Sequence, residues 1–196
     1  MKTLVVHAHP NPQSYSASLF RLAVDTLRGA GNEVQTIDLY EEHFDPVLTR
    51  EERLAYVECP EWLVDRFADH IEKIKNAEHL VLVYPTWWNG LPAILKGWFD
   101  RVWLPQITFE PARRKGDMAL SHMRHIRRFT VVTHGGSPGW WLQVMGNPHR
   151  KIMTLGLRAL FALSCRTRWL QLHDMNNVTS VDLLRFQKRV KRALSR

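Results

Sequence analysis

Three short runs of apolar and β-branched residues, each cut off by a loop rich in proline, glycine, serine or tryptophan, limit this chain to few architectures. They are Thr3-Leu4-Val5-Val6, Leu80-Val81-Leu82-Val83 within residues 78–84, and Phe129-Thr130-Val131-Val132-Thr133. A run of that length, apolar at nearly every position, reads as a strand buried on both faces, and such strands belong to parallel sheets covered by helices. Between the runs lie helical patterns. Leu19, Phe20, Ala23, Val24 and Leu27 form one apolar stripe, which Ser14 or Ser16 can cap and Gly29 and Gly31 can end. Residues 33–39 alternate like a second strand, residues 49–76 are largely helical, and Pro92 opens a helix over 93–103 carrying Ile94, Leu95, Trp98, Phe99 and Val102. Residues 105–128 have no clear period and read as a long exposed loop or hairpin. A helix near 149–162, a strand near 166–172 and a basic amphipathic helix near 179–194 complete the series. The pattern predicts an α/β chain: a doubly wound, five-stranded parallel sheet with helices on both faces, one domain over residues 1–196.

Charge divides the chain in two. The net charge of +8 splits into residues 1–110, with 10 Lys+Arg against 16 Asp+Glu, and residues 111–196, with 17 against 3. A basic half suits nucleic acid, an anionic membrane surface or a phosphate-bearing ligand, and charge alone does not choose among them. No uncharged apolar run reaches the length of a membrane span, and the N-terminus turns polar at His7. A cytoplasmic location is expected. Cys59 and Cys165 have no neighbouring cysteine, which predicts reduced, structural thiols and no disulfide framework. No metal site is read.

In a sheet of this kind, ligands bind beyond the carboxyl ends of the strands. The loops there are 9–18, 85–91 and 134–141, and they should converge on one ligand. Ser14, Ser16 and Ser18 stand at a helix N-terminus, where free N–H groups favour a phosphate; plain helix capping accounts for them equally well. The chain lacks GxGxxG and GxxxxGK[ST], which argues against a dinucleotide fingerprint and a P-loop. Trp87 and Trp88 offer indole planes to a flat ligand, and Gly135 and Gly136 allow its close approach to backbone.

Read together, His9 with its Pro/Ser-rich loop, the stretch Tyr84-Pro85-Thr86-Trp87-Trp88-Asn89-Gly90-Leu91-Pro92-Ala93-Ile94-Leu95-Lys96-Gly97-Trp98-Phe99-Asp100-Arg101-Val102, and Thr133-His134-Gly135-Gly136 resemble the NAD(P)H:quinone oxidoreductase family of DT-diaphorase type. The resemblance covers roughly residues 2–145, and Phe44-Asp45-Pro46-Val47 also looks like a family element. It implies a flavodoxin-like fold and a bound flavin, FAD favoured and FMN the alternative. The flavin would take a hydride from NAD(P)H as co-substrate and pass two electrons to a quinone or similar acceptor. By the same resemblance His9, Ser16, Ala17 and Ser18 meet the flavin phosphate, Pro85, Thr86, Trp87 and Trp88 line its ring, and Thr133, Gly135 and Gly136 reach its pyrimidine edge by backbone. A homodimer is implied, with Trp98, Phe99 and Trp103 as contributors to its interface or to the core.

One departure stands out. Mammalian-type members place a tyrosine and a histidine after the Gly-Gly to handle protons, and here those positions hold Trp141 and Asn147. Trp141 exchanges no proton, so His134 and His149 are the substitutes, each also readable as a solvated side chain. The other readings are a flavin-binding accessory subunit of a potassium-efflux system, docked on a peripheral membrane partner, and a flavodoxin-like electron carrier, which should present an acidic face. A nucleic-acid binder leaves Trp87-Trp88 and Gly135-Gly136 without a role, so no nucleic-acid partner is expected.

Overall fold

The computed structural model describes residues 1–196 and contains a five-stranded, all-parallel sheet in the order β2-β1-β3-β6-β7. The strands are β1 (Lys2–His7), β2 (Glu33–Asp38), β3 (His79–Pro85), β6 (Arg128–His134) and β7 (Arg166–Leu172). The order runs outward in both directions from β1 and β3, so the switch point lies between them. Every residue of β3 is buried, as its unbroken apolar run requires.

Alternate side chains of each strand feed two cores. On one face Val5, Val81, Val83, Val132 and Leu170 pack under α1 (Tyr15–Gly29) and the terminal helix α8 (Ser180–Leu194). On the other, Leu4, Val6, Leu80, Leu82, Phe129 and Val131 pack under α3 (Glu61–Asp65), α4 (Ala68–Asn76) and α5 (Ala93–Val102). Trp98 and Trp103 lie in that second core, exposing 0% and 4%, which removes them from any dimer surface.

The family-like segment 44–47 has a packing reason. Gly97 of α5 faces Pro46 so closely that a Cβ there would enter the Pro46 backbone. Beside it the Arg101 guanidinium donates to the Asp45 carbonyl and to both carboxylate oxygens of Glu52 in α2 (Arg50–Ala55), and Arg66 reaches Glu52 Oε1 at 2.8 Å. Burial pushes the Glu52 carboxyl up, but the hydrogen bonds from Arg101, the Thr49 amide and Arg66 prevail and hold it down at about 2.

Two stretches differ from expectation. Residues 105–128 do form a hairpin, of β4 (Phe109–Glu110) against β5 (Leu120–Ser121), but Thr108, Met123 and Ile126 beside it are buried, so the segment is not simply exposed. The helix expected over 149–162 is present over 148–160, but its pitch changes along its length. A short α6 (Gly139–Val144) precedes it, Gly146 and Asn147 adopt positive φ of 76° and 50°, and α7 (Pro148–Lys151) then widens over 152–156 and tightens over 157–160. Pro148 starts a helix readily at its first turn but cannot continue one from before, which keeps this helix separate from α6. No helix is long and apolar enough to cross a membrane.

Candidate active site

The loops at the carboxyl ends of β1, β3 and β6 do meet. In the second, Trp87 and Gly90 exchange two backbone hydrogen bonds, of 3.2 and 2.9 Å, closing a two-residue turn with φ of 50° at Trp88 and 57° at Asn89. Asn tolerates that left-handed region. A tryptophan there is strained, and strain of this kind gathers at binding sites. Trp88 is fully exposed and Trp87 exposes 40%. The Ser137 hydroxyl donates to Asn89 Oδ1 at 3.2 Å, tying this turn to the third loop.

Between the two loops opens a cleft of about 720 Å³, lined by residues 86–89 and 135–138 with Leu142, Gln171 and Asn176. The glycines make room for its walls: a Cβ on Gly135 would lie 3.1 Å from Thr86 Cβ, and one on Gly136 3.1 Å from Asn176 Nδ2. Of the three residues expected to offer backbone to a ligand, only Gly136 keeps a free N–H. Gly135 donates to the Leu172 carbonyl at 3.0 Å and accepts from the Met175 amide at 3.1 Å. Thr133 is buried within the sheet, paired in register with Tyr84 and Gln171, and its hydroxyl meets that of Thr86 at 2.9 Å. Pro85 ends β3 and is buried beneath the cleft, whose wall begins at Thr86.

The first loop leaves unpaired donors at the start of α1, though not on all the residues expected to meet a phosphate. Ser14 caps α1 by accepting from the Ala17 amide at 3.1 Å, the Ser18 amide bonds the Ser14 carbonyl at 3.1 Å, and the Ser18 hydroxyl donates to the Tyr15 carbonyl at 2.7 Å. Ala17 and Ser18 are therefore engaged in the helix itself. What remains open are the amides of Tyr15 and Ser16, which donate to no protein group, and the Ser16 hydroxyl, fully buried without a partner. Free donors at a helix N-terminus form the positive end of its dipole and are suited to an anion. His9 Nδ1 stands 3.0 Å from the Asn11 amide nitrogen and 3.2 Å from the Asn11 carbonyl oxygen, which holds the ring against its own loop. Burial is the main influence lowering its pKa.

The residues put forward for proton handling do not gather here. Trp141 sits on α6, edge-on to Trp140, and does not line the cleft. His134 and His149 are not solvated. His134 points to the α1 side of the sheet, its ring edge-on to Tyr15 at 5.7 Å, with burial and then His9 lowering its pKa to about 4. His149 shares a 2.9 Å hydrogen bond with the Tyr84 hydroxyl and stands edge-on to Trp169, and burial lowers it to about 4. Asn89 and Ser137, inside two of the loops expected to converge, also line the cleft, and Gln171 and Asn176 line it without having been anticipated. Gln171 and Asn176 belong to the carboxyl end of β7, to which the strand-end rule applies equally.

Residues 1–192 match the family described as Flavodoxin_2, flavodoxin-like fold. The chain is 37% identical over 119 residues to a ribosyldihydronicotinamide dehydrogenase-like protein of Penicillium crustosum, covering 53% of this chain and 44% of that one. It is 32% identical over 124 residues to the human ribosyldihydronicotinamide dehydrogenase [quinone], covering 56% and 54%. It thus spans about half the length of the curated relatives it matches. Among solved structures it resembles Smu.1420 of Streptococcus mutans, with a TM-score of 0.85, 25% identity and coverage of 100% and 99%. It also resembles an NAD(P)H:quinone oxidoreductase of Methanothermobacter marburgensis, at 0.77, 26%, and 98% and 94%. With a match to the family over residues 1–192 and the strand order of a doubly wound sheet, the chain belongs to the flavodoxin-like fold family Flavodoxin_2.

Proposed function

We propose that the protein is a flavin-dependent NAD(P)H oxidoreductase that passes two electrons to a quinone or similar small acceptor. The observation that carries this is the approach of the loop leading into α1, with its free donors, to the aromatic-rimmed cleft beyond β3 and β6, through His9 and Trp87, whose ring centroids are 6.0 Å apart. A flavin has that shape: a flat ring at one end, a phosphate at the other. The fit is tested by the orphaned groups. The buried Ser16 hydroxyl and the Tyr15 and Ser16 amides lack partners that a phosphate would supply, and Gly136 offers a free N–H to a ring edge.

When bound, the flavin supplies the hydride and electron chemistry. The chain's part is to hold it. Ser16, the first amides of α1 and His9 fix the phosphate end. Thr86, Trp87 and Trp88 cover the ring, and the Gly136 N–H favours negative charge on its pyrimidine edge. The dehydrogenase names of the relatives favour this enzyme over an accessory subunit. FAD is the form proposed and FMN the alternative. A homodimer is also proposed, its contact drawn from the exposed Val144, Ile152, Leu155 and Leu163.

The test is direct. The purified protein should be yellow, its flavin should bleach on anaerobic addition of NADPH or NADH, and benzoquinone should restore the colour. Flavin that stays oxidised overturns the reading, and the mass of the released cofactor decides between FAD and FMN.

A further inference from the structure

Beside the cleft, and sharing Gln171 with it, lies a second cavity of about 450 Å³. Arg150 of α7, Arg189 of α8, His173 just beyond β7 and Trp140 of α6 all line it. Its lining holds no Asp or Glu, and neither arginine has a carboxylate within 4.0 Å. Both guanidiniums are exposed on the cavity rim and donate to no protein group, so their N–H groups stay free for an anion. Their planar donor forks suit phosphate oxygens. His173 adds a second, independent sign of a missing partner. Its Nδ1 is buried without a hydrogen bond, and its ring packs so near Gly139 that a Cβ there would lie 3.5 Å from Cδ2. Burial first, and Arg189 next, keep that imidazole neutral, so it can accept or donate one hydrogen bond to a ligand.

The rest of the lining suits a nucleoside. Trp140 exposes 65% of its surface, a plane on which a purine can stack, and Gln143 and Asn147 bring amide groups. A phosphate site with a stacking surface, opening beside a hydride-transfer cleft, matches one part of one co-substrate. The 2′-phosphate is what distinguishes NADPH from NADH, and arginines are the residues that accommodate it. We propose that this cavity takes the 2′-phosphoadenosine end of NADPH, with Arg150 and Arg189 on the 2′-phosphate, and so sets a preference for NADPH over NADH. The proposal rests on the oxidoreductase reading above and names its donor.

Calorimetric titration of the purified full chain with adenosine 2′,5′-bisphosphate and with adenosine 5′-monophosphate tests the site without any turnover. The bisphosphate should bind about tenfold more tightly, and R150Q/R189Q should erase that difference, with circular dichroism confirming that the variant is folded. In turnover the same variant should lower the NADPH-to-NADH ratio of kcat/KM about tenfold. Equal binding of the two nucleotides, a difference that survives in R150Q/R189Q, or equal use of NADH and NADPH by the unsubstituted protein overturns the inference while leaving the oxidoreductase standing. A protein that holds no flavin and oxidises neither dinucleotide overturns the oxidoreductase reading and this inference with it.

Discussion

His9 and Trp87 stand with ring centroids 6.0 Å apart and planes inclined by 57°, and through them the loop after β1 touches the loop after β3 across the sheet's switch point. The contact links the loop that leads into α1 to the rim of the cleft. Trp87→Ala removes both the bridge and one ring-covering surface. Flavin affinity should fall about fivefold, as expected for losing an aromatic contact of roughly 1 kcal/mol, read from quenching of flavin fluorescence on titration into apoprotein. Unchanged affinity would place the ring elsewhere.

Ser16→Ala should act in opposite directions on stability and binding. Its hydroxyl is fully buried and has no partner within the protein, so its removal should leave the unfolding free energy of the apoprotein unchanged or raise it by about 1 kcal/mol. If the hydroxyl serves a phosphate, the same change should weaken flavin binding about tenfold. A variant that loses stability while binding flavin normally would show that Ser16 supports the helix and not a ligand.

The sheet was legible because its signal is local. The unbroken apolar runs at 3–6, 80–83 and 129–133 correspond to β1, β3 and β6, and the strand-end rule then brought three loops to one place. What was not legible depends on which atoms other atoms have already claimed. Nothing in the letters says that the Gly135 N–H is taken by the Leu172 carbonyl, or that Ala17 and Ser18 spend their amides on capping while Tyr15 does not. The solvated reading of His134 and His149 failed for a similar reason, since burial under Tyr15 and beside Tyr84 is a property of packing across the fold. The segment 149–162 is helical as its apolar pattern predicts, but nothing in the letters shows that it widens over 152–156 and tightens over 157–160.

Gly97 should be among the least replaceable residues outside the cleft. Any Cβ there enters the Pro46 backbone, which the Arg101 contact to Asp45 holds in place, so Gly97→Ala should cost about 3 kcal/mol of unfolding free energy through overpacking. Gly29→Ala is the matched control: that glycine ends α1 with nothing within 4 Å of an added Cβ. There helix propensity alone should act, stabilising by roughly 0.5–1 kcal/mol. Urea melts of the two variants should therefore shift in opposite directions, and equal shifts would remove the Pro46 contact as the cause.

The Tyr84–His149 pair gives the protein an acid limit. Burial lowers the His149 pKa from 6.5 to about 4, so the native state keeps the ring neutral where the unfolded chain would protonate it. A base whose folded pKa is depressed contributes stability that is complete above the unfolded value and is lost as pH falls toward the folded one. The loss should therefore run from pH 6.5 down to about 4 and reach on the order of 3 kcal/mol. His149→Gln keeps a hydrogen-bonding group near the Tyr84 hydroxyl but cannot titrate. Denaturant midpoints measured from pH 8 to pH 4 should fall less steeply in the variant across that window, and His134, lowered to about 4 by burial and His9, should account for part of the slope that remains. Parallel slopes for the two proteins would mean that His149 takes up its proton at the same pH in the native and the unfolded chain, so that its burial does not lower its pKa.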